Sequence, residues 1–284
     1  MNNILEVRGL RKSYGTFTLN DVSFDVPSGY IMGFIGPNGA GKTTTIKLML
    51  GIIKRDAGTV NIFGHEANLA HNENIGVVMD APMYVDEWTL ADVERAISPF
   101  YKQWDKGLYA DYIERFGLDA KKKVKELSRG MKVKLQIAAA LSHNARILML
   151  DEPTSGLDPV ARDEICDLLR EFVADEGKSV LFSTHITSDL EKTADYITFI
   201  LSGAIVFTGE KDDLLQRYAR VTGGLGELSA EQEKLVIGCR EHGTGFEGMV
   251  ETANVGKMPK TVLTEEISLD EIIIFMNKGA ETYE

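Results

Sequence analysis

Val22, Phe24 and Val26 alternate with polar neighbours, and residues 4–7 carry a similar β-rich pattern. The chain is therefore expected to open with half-buried strands near a sheet edge. A compact apolar run at residues 31–35 ends in Gly36 and gives way to a glycine-rich loop and a helical stretch over residues 42–50. The order is strand, loop, helix. Residues 89–116 and 128–141 have helical spacing, separated by a link rich in lysine (Lys121, Lys122, Lys123, Lys125). They predict a helical subdomain of about residues 86–142 inserted after the first βα unit. Residues 146–150 and 179–183 are fresh apolar strands with a helix over 159–176 between them, the crossover that a parallel sheet requires. After Gly209 the pattern loosens. Gly223, Gly224 and Gly226 read as a linker and residues 269–276 as a last amphipathic helix. Two domains are expected, 1–209 and 210–284, the second a small α+β extension.

Composition narrows the class. The 284 residues are 44% hydrophobic and 26% charged, enough for one good core and a smaller module. A net charge of -12 argues against a nucleic-acid partner held by bulk charge. The acid is uneven: 8 basic against 15 acidic residues from Glu210 onward, 23 against 28 before it, so the tail reads as a solvated acidic module. Cys166 and Cys239 lack metal-ligand spacing and fit a reduced cytosolic setting. The opening MNNILEVRGL predicts no secretory signal, and no apolar run approaches the roughly 20 residues of a bilayer span. A membrane role would have to come from a partner.

GPNGAGKT, comprising Gly36, Pro37, Asn38, Gly39, Ala40, Gly41, Lys42 and Thr43, fits the phosphate-loop pattern G-x-x-x-x-G-K-[ST] between a buried strand and a helix N-terminus. Glycines let backbone N–H groups turn around phosphates, and the helix N-terminus adds partial positive charge. Lys42 is expected to reach the β- and γ-phosphates of ATP, Thr43 to coordinate Mg²⁺, and Thr44 to support the α-phosphate. Residues 147–150 then deliver Asp151 and Glu152 at a strand's carboxyl end, where open α/β sheets place ligands. Asp151 is the expected Mg²⁺ ligand and Glu152 the general base for water. These motifs alone support a P-loop NTPase.

LSRGM at residues 127–131 resembles the LSGGQ signature of ABC ATPases. SGLD at residues 155–158 resembles that family's D-loop, and His185 its switch histidine. The order of these motifs, with the phosphate loop and the Asp151–Glu152 strand end, matches over about residues 1–209. The resemblance implies an ABC-type P-loop core with an N-terminal antiparallel β subdomain. It also implies that Ser128 and Gly130 contact the γ-phosphate held by a second ATPase, in a homodimer or heterodimer closed around two ATP. Asp158 would sit at that interface and His185 on the γ-phosphate. Tyr14 matches the adenine-stacking aromatic, with an ordinary strand tyrosine as the alternative. Ser128 and Asp158 also read as helix N-caps, a role compatible with the first.

Three features depart from the family pattern. Asp80 stands where a glutamine is usual, with Mg²⁺ or water as its implied contact, and Arg129 and Met131 replace Gly and Gln of the signature. Because Ser128 and Gly130 are kept, the site is expected to stay active. A basic cluster, Lys121 to Lys125 with Arg129, Lys132 and Lys134, flanks the signature and reads as a solvated face. By its LSRGM signature and the tail ISLDEIIIFMNKG, the chain most resembles the mainly Gram-positive exporter ATPases that include phenol-soluble-modulin peptide exporters. That resemblance implies a cytoplasmic subunit peripheral on the inner face of the membrane, bound to a separate multi-span subunit near residues 80–88. The rival is a soluble ABC ATPase, of iron-sulfur assembly for example. A non-hydrolysing scaffold is disfavoured by Glu152.

Overall fold

The alternating start of the chain forms a long antiparallel hairpin, β1 (Asn3–Tyr14) and β2 (Phe17–Pro27), with Leu5, Val7, Leu10, Val22 and Val26 buried. The computed structural model describes residues 2–67, 73–80, 84–175 and 177–281. Their contacts divide into two units, within Met1–Thr208 and Gly209–Glu284.

β3 (Ile31–Ile35) is buried along its whole length, as a central parallel strand must be, and leads through the glycine loop into α1 (Lys42–Met49). β4 (Ala57–Ile62) pairs antiparallel with β1 and with the short β5 (His65–Glu66). After β6 (Ile75–Val78) come the helices α2 (Leu90–Ile97), α3 (Lys106–Arg115) and α4 (Arg129–Leu141). β7 (Ile147–Asp151), α5 (Pro159–Val173), β8 (Ser179–Thr184), α6 (Thr187–Thr193), β9 (Tyr196–Leu201) and β10 (Ala204–Glu210) follow. Among the described residues the sheet orders are β2-β1-β4-β5 and β10-β9-β3-β8-β7-β6. Phe24 stacks on Phe34 with ring centroids 5.3 Å apart, joining the two sheets. β3, β7 and β8 are parallel neighbours. The loops leaving all three therefore open at one carboxyl edge, which gathers the site.

The helical pattern expected over residues 89–116 is split in two. Ser98–Phe100 is a 3-10 turn in which Pro99 has no amide to give an α-helix, and α3 restarts where Asp105 accepts the Leu108 N–H at 3.0 Å. α2, α3 and α4 share a core of Leu90, Val93, Tyr109, Ile113 and Leu135.

The second unit contains α7 (Lys211–Arg217), β11 (Tyr218–Gly223), α8 (Ala230–Glu233), β12 (Ile237–His242), β13 (Gly245–Glu251), β14 (Leu263–Glu265) and α9 (Leu269–Glu281). Its antiparallel sheet runs β12-β13-β11-β14 around Val221, Phe246 and Val250. Gly223, expected in a linker, instead closes β11, where a Cβ would lie 2.7 Å from Phe246 Cε1. Among the described residues no helix is long and apolar enough to cross a membrane, and both cysteines are free.

Candidate functional site

The loop between β3 and α1 is seated by close backbone approaches. A Cβ on Gly36 would lie 2.2 Å from Ile200 O, so only glycine fits there. Gly41 has φ 110, a left-handed conformation that favours glycine, and caps α1. The first bonded amide of the helix is Thr45 N–H, on Gly41 O at 2.9 Å. The amides of Lys42, Thr43 and Thr44 thus have no intrahelical acceptor, as at any helix start, and can receive an anion. Lys42 is buried and donates to Gly36 O at 2.7 Å and Pro37 O at 3.2 Å.

Asp151 ends β7 and is held at both oxygens. Thr43 Oγ1 donates to Oδ2 and Ser183 Oγ to Oδ1, each at 2.7 Å. A buried carboxylate oxygen beside a threonine hydroxyl at the loop is a hard-oxygen donor set that fits Mg²⁺. Glu152, the next residue, takes φ 51, which costs a non-glycine residue about 1–3 kcal/mol. Its Oε1 lies 3.2 Å from Lys42 Nζ and its Oε2 2.7 Å from His185 Nδ1. The fold holds that backbone by the bond from Glu152 N–H to Ser183 O at 3.0 Å. His185 leaves β8 in a tight turn where Ile186 N–H donates to Thr184 Oγ1 at 2.9 Å. Lys42, Thr43, Asp151, Glu152 and His185, five expected residues from three strand ends, thus form one cluster.

A second group gathers at the start of α4. Ser128 caps it, accepting the Met131 N–H at 3.3 Å. Asp158 caps α5, accepting from Val160 and Ala161 N–H, both at 3.0 Å. Those bonds, Ala161's foremost, hold its carboxyl below the ordinary value of 3.8. Ser128, Gly130, Gly156 and Asp158 line one shallow cleft. Asp80 is ion-paired with Arg129 Nη2 at 2.5 Å. Residues 81–83 lie outside the described residues. Part of the basic cluster beside the signature is paired: Lys123 and Lys125 bond Glu87, Lys132 lies 3.8 Å from Asp86, and Lys134 bonds Glu164, while Lys121 and Lys122 are exposed. Lys125, then Lys123, lowers the Glu87 carboxyl, and Glu87 raises the Lys125 ammonium.

Tyr14 is 46% exposed, across the hairpin from Phe17, with Lys12 Nζ 5.6 Å from its ring centroid. Phe17, not anticipated, packs on the phosphate loop, its Cζ 3.0 Å from where a Gly41 Cβ would be. Ser183 was missed as well. Its signal was a polar residue directly after the apolar triplet Val180, Leu181 and Phe182 of β8.

Comparison with known proteins relates the chain to others by sequence and by fold. A sequence family described as "ABC transporter" matches residues 19–155. The lantibiotic transport ATP-binding protein SrtF of Streptococcus pyogenes is 34% identical over 212 residues, covering 74% of this chain and 92% of that protein. The bacitracin transport ATP-binding protein BcrA of Bacillus licheniformis is 32% identical over 253 residues, covering 85% and 80%. A solved ATP-binding subunit of an ABC transporter superposes with TM-score 0.68 at 28% identity, over 74% of this chain and 91% of that one.

Proposed function

This chain belongs to the ABC transporter ATP-binding proteins, and from that premise we infer that it hydrolyses ATP to drive export through a separate multi-span membrane subunit. The observation that carries the reading is Glu152, fixed between Lys42 and His185 beside the Thr43–Asp151 pair. A phosphate cradle, a metal-type donor pair and a base stand together.

The amides at the start of α1 and the Lys42 ammonium hold the β- and γ-phosphates of ATP, Lys42 exchanging the carbonyls of Gly36 and Pro37 for phosphate oxygens. Thr43 and Asp151 hold Mg²⁺, which when bound neutralises charge on the phosphate oxygens. Glu152 takes the proton of the attacking water. His185, with Nδ1 on Glu152 Oε2, keeps that carboxylate oriented toward the water. Tyr14 stacks on the adenine. In a second ATPase, identical or paralogous, Ser128 and Gly130 cover the γ-phosphate from across a two-fold axis with Asp158 at the interface, so hydrolysis reopens the dimer.

The relatives' names, lantibiotic and bacitracin transport and Nod factor export, support an exporter of amphipathic peptides or similar molecules, and do not favour iron-sulfur assembly. An apolar groove lined by Tyr84, Trp88, Ile97 and Phe100, the last 78% exposed, suits the membrane subunit. On this reading the chain works on the cytoplasmic face of the membrane, bound to that subunit. Residues 210–284 stabilise or regulate the ATPase dimer; a chain ending at Gly209 that dimerises and turns over like the whole one would remove that role. The central test is Mg·ATP turnover of the native chain, with its membrane subunit present, against Glu152→Gln. Activity should vanish while an ATP-bound dimer accumulates. A strictly monomeric Glu152→Gln chain under those conditions overturns the reading.

A further inference from the structure

Two departures from the family pattern meet in this fold. Asp80, in the loop after β6, and Arg129, the first residue of α4, are 49 positions apart and bonded at 2.5 Å. One residue before Asp80, the Met79 N–H donates to Gln136 Oε1 at 3.1 Å, and Gln136 is only 5% exposed. Arg129 and Gln136 are seven positions apart, two turns along one face of α4. Consecutive residues of the loop are therefore gripped at two heights on the same helix. The guanidinium also rests on the D-loop, since a Cβ on Gly156 would lie 3.4 Å from Arg129 Cδ, Nε and Cζ. Further along the same loop segment, Asp86 and Glu87 face Lys132, Lys123 and Lys125. The signs are matched along the whole row, negative on the loop and positive around the signature.

Resting on the proposed ATPase reading, we propose that Asp80 and Arg129 are a matched positioning pair. Together with Gln136 they bind the loop after β6, the start of α4 and the D-loop into one body. Met79 and Asp80 then cannot shift without carrying Ser128 and Gly130, the groups offered to the partner's nucleotide. In this reading Arg129 is not a damaged signature position and Asp80 is not a metal ligand. Each compensates the other, with Arg129 taking a carboxylate where a glycine would leave it unpaired.

The test is a double-mutant cycle on the full chain, with Asp80→Ala, Arg129→Ala and the double substitution, reading kcat and apparent KM for ATP, the Mg²⁺ requirement and the salt dependence of turnover. Thermal unfolding establishes that each variant is folded, and Arg129→Lys, which keeps the charge, serves as the conservative check. Each single change should lower kcat roughly two- to fivefold, the range of an exposed ion pair, with little change in KM. The double should be no worse than the worse single, Arg129→Lys should recover part of the loss, and salt should inhibit the native chain more steeply than the double variant. Losses that multiply overturn the pairing. So does an Asp80→Ala change that raises the Mg²⁺ requirement equally in the native and Arg129→Ala backgrounds, which would make Asp80 a metal ligand. A native chain that neither binds nor hydrolyses ATP would instead count against the ATPase reading itself.

Discussion

Thr43 Oγ1 donates to Asp151 Oδ2 at 2.7 Å, joining residues 108 positions apart at the mouth of one loop. The contact brings the first turn of α1 to the end of β7 and leaves two hard oxygens side by side. Removing either oxygen should therefore act on the metal-dependent step more than on nucleotide capture. Thr43→Val or Asp151→Asn is expected to cut Mg·ATP turnover by about 10²-fold or more. Binding of a fluorescent nucleotide without Mg²⁺ should remain in Thr43→Val. A Mg²⁺ titration of turnover checks this, and an unchanged half-activating concentration would contradict the assignment.

His185 acts through Glu152 in this geometry, so their substitutions should not add. Glu152→Gln is expected to lower kcat by about 10²- to 10⁴-fold. His185→Ala should follow in the same direction, and the double variant should fall no further than Glu152→Gln alone. Single-turnover kinetics on the four proteins decides it, with multiplicative losses as the contrary outcome.

Gly36 separates fit from flexibility. Its missing Cβ would stand 2.2 Å from Ile200 O, a backbone atom that cannot rotate away. Gly36→Ala should therefore lower stability by about 1–3 kcal/mol and weaken ATP binding together. Denaturant unfolding and nucleotide titration measure the two. An alanine variant as stable as the native chain would show that the loop gives way.

Acid sensitivity is predicted away from the nucleotide. His143 is buried, its ring stacked on Tyr101 at 4.0 Å and its Nδ1 3.0 Å from Glu73 O. Burial lowers its pKa from the ordinary 6.5, despite the opposing effect of the Glu73 carbonyl. The unfolded chain then takes up a proton near 6.5 that the folded chain refuses until lower pH. Stability from this group is complete above about pH 6.5 and declines as the pH falls below it. Thermal melts between pH 8 and 5 should show a shallower decline for His143→Phe, which keeps the ring stack. Parallel declines would assign the acid sensitivity to other groups.

Much of the candidate site was legible in the sequence because the phosphate and metal chemistry proposed for it demands particular residues at short spacing. GPNGAGKT, the Asp151–Glu152 pair and the caps Ser128 and Asp158 each act within a few positions of themselves. What was not legible depends on strand order. β7 and β8 lie side by side only once the sheet has formed, so the grip of Ser183 on Asp151 and of His185 on Glu152 has no local signature. Asp80 and Arg129 read as two separate irregularities for the same reason, since only the packing of α4 against β6 brings them together. The turn at Ser98–Phe100 was readable from Pro99. Gly223 shows the reverse case, a glycine chosen for crowding beside Phe246 and not for flexibility.

The left-handed backbone of Glu152 sets activity and robustness against each other at a single position. A glycine there would relax the chain and silence the enzyme in the same stroke, so a library selected only for surviving heat should enrich for dead proteins at this codon. Any programme to toughen this ATPase has to screen for turnover from its first round.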